Sequence, residues 1–174
     1  KELEDVARKV EDLLRRIEKT NRDAIRESER LVRELKREVE KVEEESRRLL
    51  EEVERRIRDE DVIRRLREIS ERSKRELKKL LETITRISDK SVKDNEKLLR
   101  DTREVVRRVD EVLKNNGDAK KLLDEVRKVI EDNRKRSEEL LEENRKVVED
   151  VSRTLERILR ENERVADEVD KEER

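Results

Sequence analysis

Apolar residues recur along this chain with a period of 18 residues, which equals five turns of an undistorted α-helix. At about 100° per residue, each copy fills an arc of roughly 100–120°, the width of one stripe facing a core. The spacing therefore predicts amphipathic helices that pack together. One set and its two following copies are Leu13, Leu14 and Ile17, then Leu31, Val32 and Leu35, then Leu49, Leu50 and Val53.

The apolar stripe changes phase twice, and the first change follows Ile57. Continued further, the first pattern would put Glu60 and Arg64 into the core, whereas the observed apolar face lies about 150° away. A continuous helix would then carry stripes on nearly opposite sides. We therefore predict a tight turn near 58–61, with Asp61 or Asp59 as the N-cap of the second helix.

The second phase change coincides with a turn sequence. We expect these residues to supply a left-handed position at the end of the second helix, followed by an N-cap aspartate for the third. The residues are Asn115, Asn116, Gly117 and Asp118.

These boundaries predict helices at about 2–58, 62–115 and 119–172, joined by turns near 59–61 and 116–118. Turns this short make consecutive helices antiparallel neighbours. An 18-residue repeat also needs little supercoiling, unlike a heptad repeat. The predicted fold is all-α: a long, nearly straight, antiparallel (up-down-up) three-helix bundle that forms a single domain over 1–174.

Asn, Ser and Thr occupy positions that the repeat assigns to the core. Folding the chain at the turns pairs residue i of the first helix with a residue near 120 − i of the second, and residue j of the second with one near 234 − j of the third. The polar residues then fall at three levels, with Ser152 as a further candidate outside them. The first level holds Ser46, Ser70, Ser73 and Asn162; the second holds Ser28, Ser88, Ser91 and Asn144; the third holds Asn21, Asn95, Thr102, Asn133 and Ser137, with Thr20 beside it.

Two interpretations of these polar residues compete. A single Ser or Thr in a helix often bonds the carbonyl one turn back, and a partly exposed Asn is common at a loose interface. Clustering at three levels favours connected hydrogen-bond networks, because a buried polar group without a partner costs about 1–3 kcal/mol. Such networks also penalise shifted registers. We expect them to contribute specificity more than stability.

The residue types exclude several kinds of chemistry. The chain has no His, Cys, Met, Pro, Phe, Trp or Tyr. Without Cys and His there is no disulfide, no thiolate or imidazole metal site and no Ser–His or Cys–His nucleophile. We therefore expect no enzymatic activity, with no catalytic residue, no cofactor and no bound metal.

The charged residues limit the kinds of partner that the chain is expected to bind. Charged residues make up 58% of the chain, yet the net charge is −1 and the two signs are interspersed. Without a basic face or an aromatic side chain, a nucleic-acid partner is not expected. No apolar run exceeds three residues, which argues against a membrane span or a signal peptide. We expect no small-molecule ligand, and a soluble protein that is cytoplasmic when expressed.

The 18-residue repeat, the Asn/Ser/Thr levels, the loop Asn115-Asn116-Gly117-Asp118 and the surface of Glu, Lys, Arg and Asp together resemble computationally designed (de novo) helical bundles with buried hydrogen-bond networks. The resemblance covers the whole chain and is one of design style, without a shared sequence motif. It implies a thermostable structural scaffold with no natural biochemical activity. Natural spectrin-like three-helix repeats share the topology but typically carry aromatic core residues.

Three classes of function remain at this stage. The first is a monomeric scaffold, because the three stripes are similar in width. The second is an interaction module: half of a designed heterodimer, a cage that accepts a partner helix, or a homo-oligomer. Such a module should expose a second apolar strip, and the third class, a natural coiled-coil spacer, should show a heptad repeat. The apolar residues outside the stripes are scattered and form no continuous groove: Ala7, Ile25, Val92 and Val112.

Overall fold

The computed structural model describes residues 2–115 and 117–173, and these residues form three α-helices of 55 residues each with no strand. The helices pack against each other, which confirms the predicted all-α three-helix bundle. The first and third helices begin at the predicted residues, and the other helix ends differ from the predicted ones by one or two residues. The helices are α1 (Glu2–Arg56), α2 (Glu60–Lys114) and α3 (Ala119–Glu173).

The first turn comprises residues 57–59, so α2 begins two residues earlier than predicted. A side-chain oxygen of Asp59 accepts a hydrogen bond from the backbone N–H of Asp61 at 3.0 Å. The Asp59 carbonyl accepts the N–H of Ile63, also at 3.0 Å. Asp59 is therefore the N-cap, and Asp61 lies in the first turn, where its negative charge favours the helix N-terminus.

Asp118 caps α3, as the sequence predicts. Its Oδ1 accepts the backbone N–H groups of Lys120 at 3.2 Å and Lys121 at 3.3 Å. Its carbonyl accepts the N–H of Leu122 at 3.1 Å. The cap thus occupies N–H groups in the first turn of α3 that have no partner within the helix.

Gly117 follows the end of α2, and its backbone lies close to Val112. Its N–H bonds the Val112 carbonyl at 3.2 Å, and its φ lies outside the left-handed range that the sequence predicts for this turn. Asn116, the other candidate for that conformation, lies outside the described residues. A Cβ on Gly117 would lie 2.7 Å from Cγ1 of Val112 and 3.2 Å from its carbonyl oxygen. A side chain at this position would therefore require Val112 to move.

We expect Gly117→Ala to lower the free energy of unfolding by about 1 kcal/mol, because the new methyl group must displace Val112. Chemical denaturation followed by circular dichroism measures this loss. The double variant Gly117→Ala with Val112→Ala should recover part of it, since the 2.7 Å contact with Cγ1 disappears. Equal losses in a Val112→Ala background and in the parent would contradict this explanation.

The chain divides into two compact units, and each contains segments of all three helices. The first unit is Lys1–Arg30 with Ser88–Arg145, and the second is Leu31–Ile87 with Lys146–Arg174. The first has one apolar core cluster, whose buried residues are Val6, Val10, Val106, Val109, Leu113, Leu123 and Val126. The second has two, one around Leu35, Val39, Val42, Leu77, Ile84, Val151, Leu155 and Ile158, and one around Val53, Ile57, Leu66, Val165 and Val169.

Contacts within each unit establish the helix directions. In the first unit Ser28 of α1 bonds Ser91 of α2, one position from the predicted partner, and Ser137 of α3 bonds Asn95 of α2. In the second unit Glu54 of α1 pairs with an α2 arginine, Arg67, at 3.0 Å. In the first unit Glu18 meets Arg103 whereas Ser28 meets Ser91, so residue numbers rise on α1 as they fall on α2. In the second unit Arg65 meets Glu168 whereas Glu76 meets Arg157, which gives the same relation between α2 and α3. This confirms the up-down-up order and the predicted register within each unit.

Candidate functional site

The buried polar residues of the described chain all belong to the set that the repeat singles out. None of them is charged. Three further candidates, Ser70, Ser88 and Ser152, are only partly buried. The buried ones are Asn21, Ser28, Ser46, Ser73, Ser91, Asn95, Thr102, Asn133, Ser137, Asn144 and Asn162.

In the first unit, one residue from each helix forms a closed triangle, here called the serine layer (Ser28, Ser91 and Asn144). The two hydroxyl oxygens lie 3.0 Å apart. Nδ2 of Asn144 donates to Oγ of Ser28 and to Oγ of Ser91, both at 2.9 Å. An amide nitrogen carries two hydrogens, so both are used. Ser88, predicted at this level, does not join the triangle.

A second three-helix contact in the same unit is the asparagine layer (Asn21, Thr102 and Asn133). The two amides bond reciprocally, at 2.8 Å from Asn21 Nδ2 to Asn133 Oδ1 and at 3.1 Å in the other direction. Asn133 Nδ2 also donates to Oγ1 of Thr102 at 2.7 Å and approaches the Leu98 carbonyl at 3.3 Å. With two hydrogens for three acceptors, the longest contact is a shared one.

The other two residues predicted at the third level form a separate pair. Oγ of Ser137 donates to Oδ1 of Asn95 at 2.8 Å, and Nδ2 of Asn95 donates to the Ser91 carbonyl at 2.9 Å. This pair therefore connects to the serine layer. Asn95 and Thr102 are two turns apart on α2, a rise of about 10 Å, which is too far for one layer.

The predicted first level, in the second unit, is only partly bonded. Nδ2 of Asn162 donates to Oγ of Ser46 at 2.9 Å. Ser73 is only 2% exposed, yet within the part of the chain that the structure describes no hydrogen bond joins its side chain to this pair. Ser70 is partly buried and also stands outside it.

At the margin of the stripes, threonine side chains bond the backbone carbonyl one turn back, which is the alternative to a network. The hydroxyl of Thr20 donates to the Arg16 carbonyl at 3.0 Å, one turn back on the same helix. Thr154 bonds the Asp150 carbonyl in the same way at 3.1 Å. Ser152 is partly exposed and belongs to none of the described layers. Helical back-bonding therefore accounts for these threonines.

The layers satisfy their own hydrogen-bonding groups. Among the described residues, no fully buried side-chain nitrogen or oxygen lacks a partner. Each such bond contributes about 1 kcal/mol net, whereas a buried group without a partner costs about 1–3 kcal/mol. The members are neutral amides and hydroxyls, which neither gain nor lose protons at ordinary pH. The arrangement can hold helices in position, and it offers no general acid or base.

Ion pairs cover the outer faces. Along α1, residues four apart form such pairs: Arg48 with Glu44 at 3.3 Å, Arg56 with Glu52 at 3.7 Å and Arg47 with Glu51 at 2.9 Å. Hydrogen bonding to Arg47 also lowers the pKa of Glu44. These groups are solvent-exposed, so each pair adds little stability.

Ion pairs between helices are a feature that helix periodicity alone does not reveal. In the first unit Glu18 pairs with Arg103 at 2.9 Å, and in the second Arg56 pairs with Asp170 at 3.1 Å. The predicted register places position 102 opposite Glu18, one residue from its actual partner. Searching for opposite charges along that register would have found this pair.

Among the described acidic groups whose pKa is shifted, Asp110 is the one whose environment disfavours ionisation. Partial burial raises its pKa; Lys114 opposes this effect, and the negative charge of Glu11 adds to it. Ionisation is then less favourable in the folded chain than in the unfolded one. Asp110 therefore destabilises the fold at neutral pH, and the penalty vanishes as the pH falls through the raised pKa and then the unfolded value.

We expect Asp110→Asn to raise the free energy of unfolding at pH 7, by no more than about 0.5 kcal/mol as is typical of surface changes, and to have no such benefit at pH 3. Urea denaturation at the two pH values measures the difference. The same substitution at the exposed Asp89 controls for the loss of a surface charge. A gain that is equal at both pH values would refute the burial explanation.

Comparison with known proteins identifies no matching family model, curated protein or solved structure. Within the described residues, none of the helices has the length of apolar sequence that crossing a membrane requires.

Proposed function

We propose that the chain is a structural scaffold, of the computationally designed kind that its sequence resembles, in which buried hydrogen-bond layers specify how the helices pair and in which register. The observation that carries this proposal is the serine layer, which takes one residue from each helix and bonds all three pairwise, at 2.9–3.0 Å. A shift of one helix by a single turn would open such a triangle.

A shift of one helix relative to the others has a definite cost. If α3 moved by one turn, Asn144 would leave Ser28 and Ser91, which are both almost completely buried. The two hydroxyls would keep only each other, and the Asn144 amide would lie among apolar side chains without a partner, which costs about 1–3 kcal/mol. An all-apolar core tolerates such shifts better. The layers thus act by raising the free energy of wrong arrangements.

We also propose that the chain is not an enzyme and that it is a monomer. The buried polar groups are amides and hydroxyls, while Asp, Glu, Lys and Arg stay outside the core of the described chain. The apolar clusters take up side chains from all three helices in each unit, which supports a bundle complete without a partner. A partner-binding module is the second candidate, favoured by a surface groove in the second unit that includes Leu50 and Leu77.

Size-exclusion chromatography with light scattering tests the proposal. We expect a monomer of 21.2 kDa at micromolar concentration. A variant with Ser28, Ser88 and Ser91 changed to Ala and Asn144 to Leu should keep its stability but lose uniqueness, and appear as a mixture of oligomers. Ser152→Ala, outside the layers, should remain monomeric.

Three results would contradict the proposal. A parent chain that is a dimer or larger would favour the interaction module. A four-residue variant that stays a single monomeric species would show that the serine layer does not specify pairing. If that variant instead lost most of its stability, the layer would be a net energetic contributor, and its proposed role in specificity would be wrong.

A further inference from the structure

The sequence repeat places a second copy of the serine layer in the second unit. Moving along each helix by 18 residues, the same three residue types recur in the same positions. In the first unit all three members are bonded to each other. In the second, only the bond between an asparagine and one serine forms. The second copy is Ser46, Ser73 and Asn162.

The second copy therefore leaves hydrogen-bonding capacity unused within the described chain. One hydrogen of the Asn162 amide goes to Oγ of Ser46, whereas Asn144 uses both of its hydrogens. Ser73 and Ser70 make no bond to the pair. Since every fully buried polar atom does have a partner, the polar atoms left without one must reach space large enough for a water molecule.

A small cavity in the second unit supplies that space. Its polar lining comes from all three helices: Ser46, Ser70 and Asn162, with aliphatic side chains around them. Its volume is about 10 Å³. A single buried water needs about 10–15 Å³ and two to four polar partners. Both the volume and the chemistry match one water, and nothing larger fits.

We propose that this cavity is a hydration site, in which one water molecule bridges Ser46, Ser70 and Asn162. The water bonds two members of the second copy, Ser46 and Asn162, and reaches α2 through Ser70, which lines the cavity where Ser73 does not. It accepts from the amide or a hydroxyl and donates to another hydroxyl or to the amide oxygen. The two copies thus use one sequence pattern in a dry and a hydrated form.

The water has a route to solvent. A surface groove of about 390 Å³ in the same unit is lined by Ser46, Leu50 and Ser70, which also line the cavity. Lys74 and Glu71 lie at the groove as well, so its mouth is polar. We therefore expect the bound water to exchange with bulk solvent through this groove.

High-resolution crystallography and water–protein cross-relaxation in nuclear magnetic resonance test the site. We expect an ordered water about 2.7–3.2 Å from at least two of the three polar side chains. We also expect cross-peaks from water to Ser46 and Asn162. Ser70→Val, which fills the cavity with a side chain, should abolish those cross-peaks. Ser88→Val, the equivalent position one repeat away and outside the cavity, should leave them unchanged.

Three outcomes would overturn the proposal. The first is a direct bond between Ser46 and Ser73 with no water, which would make the second copy as dry as the first. The second is persistence of the cross-peaks in Ser70→Val. The third is several disordered waters spread along the groove. If Ser70→Val did not fold, the crystal structure and cross-peaks of the parent chain would still decide between a bridging water and a dry layer.

Discussion

Asn133→Leu is expected to lower the free energy of unfolding by about 3 kcal/mol. The change removes both bonds that Asn21 makes, at 2.8 and 3.1 Å, and Asn21 is completely buried. Its amide would then lie in the core with no partner, and each unsatisfied polar group there costs about 1–3 kcal/mol. Guanidinium denaturation followed by circular dichroism at 222 nm measures the loss.

Two control variants isolate the cause. Thr102→Val removes only one acceptor, and the Asn133 amide keeps the Leu98 carbonyl as an alternative, so its cost should be about 1 kcal/mol. The triple variant Asn21→Leu, Thr102→Val and Asn133→Leu removes every polar member together and should recover most of the stability. If the triple variant were less stable than Asn133→Leu alone, loss of packing would be the cause, and the unsatisfied amide would not be.

Leu77→Ala is expected to lower the free energy of unfolding by about 2–5 kcal/mol. Leu77 is 0% exposed and belongs to the larger apolar cluster of the second unit, so truncation leaves a cavity among aliphatic side chains. Without aromatic rings, this core depends on such aliphatic contacts. Leu3→Ala, at a residue that is 41% exposed, should cost less than about 1 kcal/mol.

The same variant tests the prediction of a single domain over 1–174. All three helices contribute segments to both units, and the chain enters and leaves each unit within a helix. If the chain unfolds as one domain, Leu77→Ala should reduce amide hydrogen-exchange protection equally in both units. Loss of protection confined to the second unit would instead show two units that unfold independently.

Helix periodicity predicts most of the buried polar residues. Asn21 and Ser28 lie in the middle of the α1 stripe, and both are buried as expected. Ser70, Ser88 and Ser152 are partly exposed. An arc of roughly 100–120° has edges, and a residue near an edge is covered only where the neighbouring helix comes close. The phase of the repeat identifies which residues belong to the apolar stripe, but it does not give the distance to the neighbouring helix.

The bonding pattern within a layer is less predictable than burial. Ser28 with Ser91, and Ser46 with Ser73, are equivalent by the repeat, yet only the first pair is bonded. A hydrogen bond forms or fails over a few tenths of an ångström, and the separation of two helices depends on all the side chains packed between them. The N-cap at Asp59 instead of Asp61 has a similar origin, because both aspartates suit the role and the turn decides between them.

An exact repeat alone would make the bundle ambiguous. Sliding α3 by five turns, about 27 Å, would bring Asn144 to the place of Asn162, where it could bond Ser46 of the second copy. The asparagine layer has no counterpart one repeat away, so this slide would carry Asn133 into the place of Val151, within the apolar cluster that contains Val39 and Ile84. The asparagine layer thus breaks the translational symmetry of the chain: the repeated serines define the spacing of allowed positions, and the unrepeated asparagines select one of them.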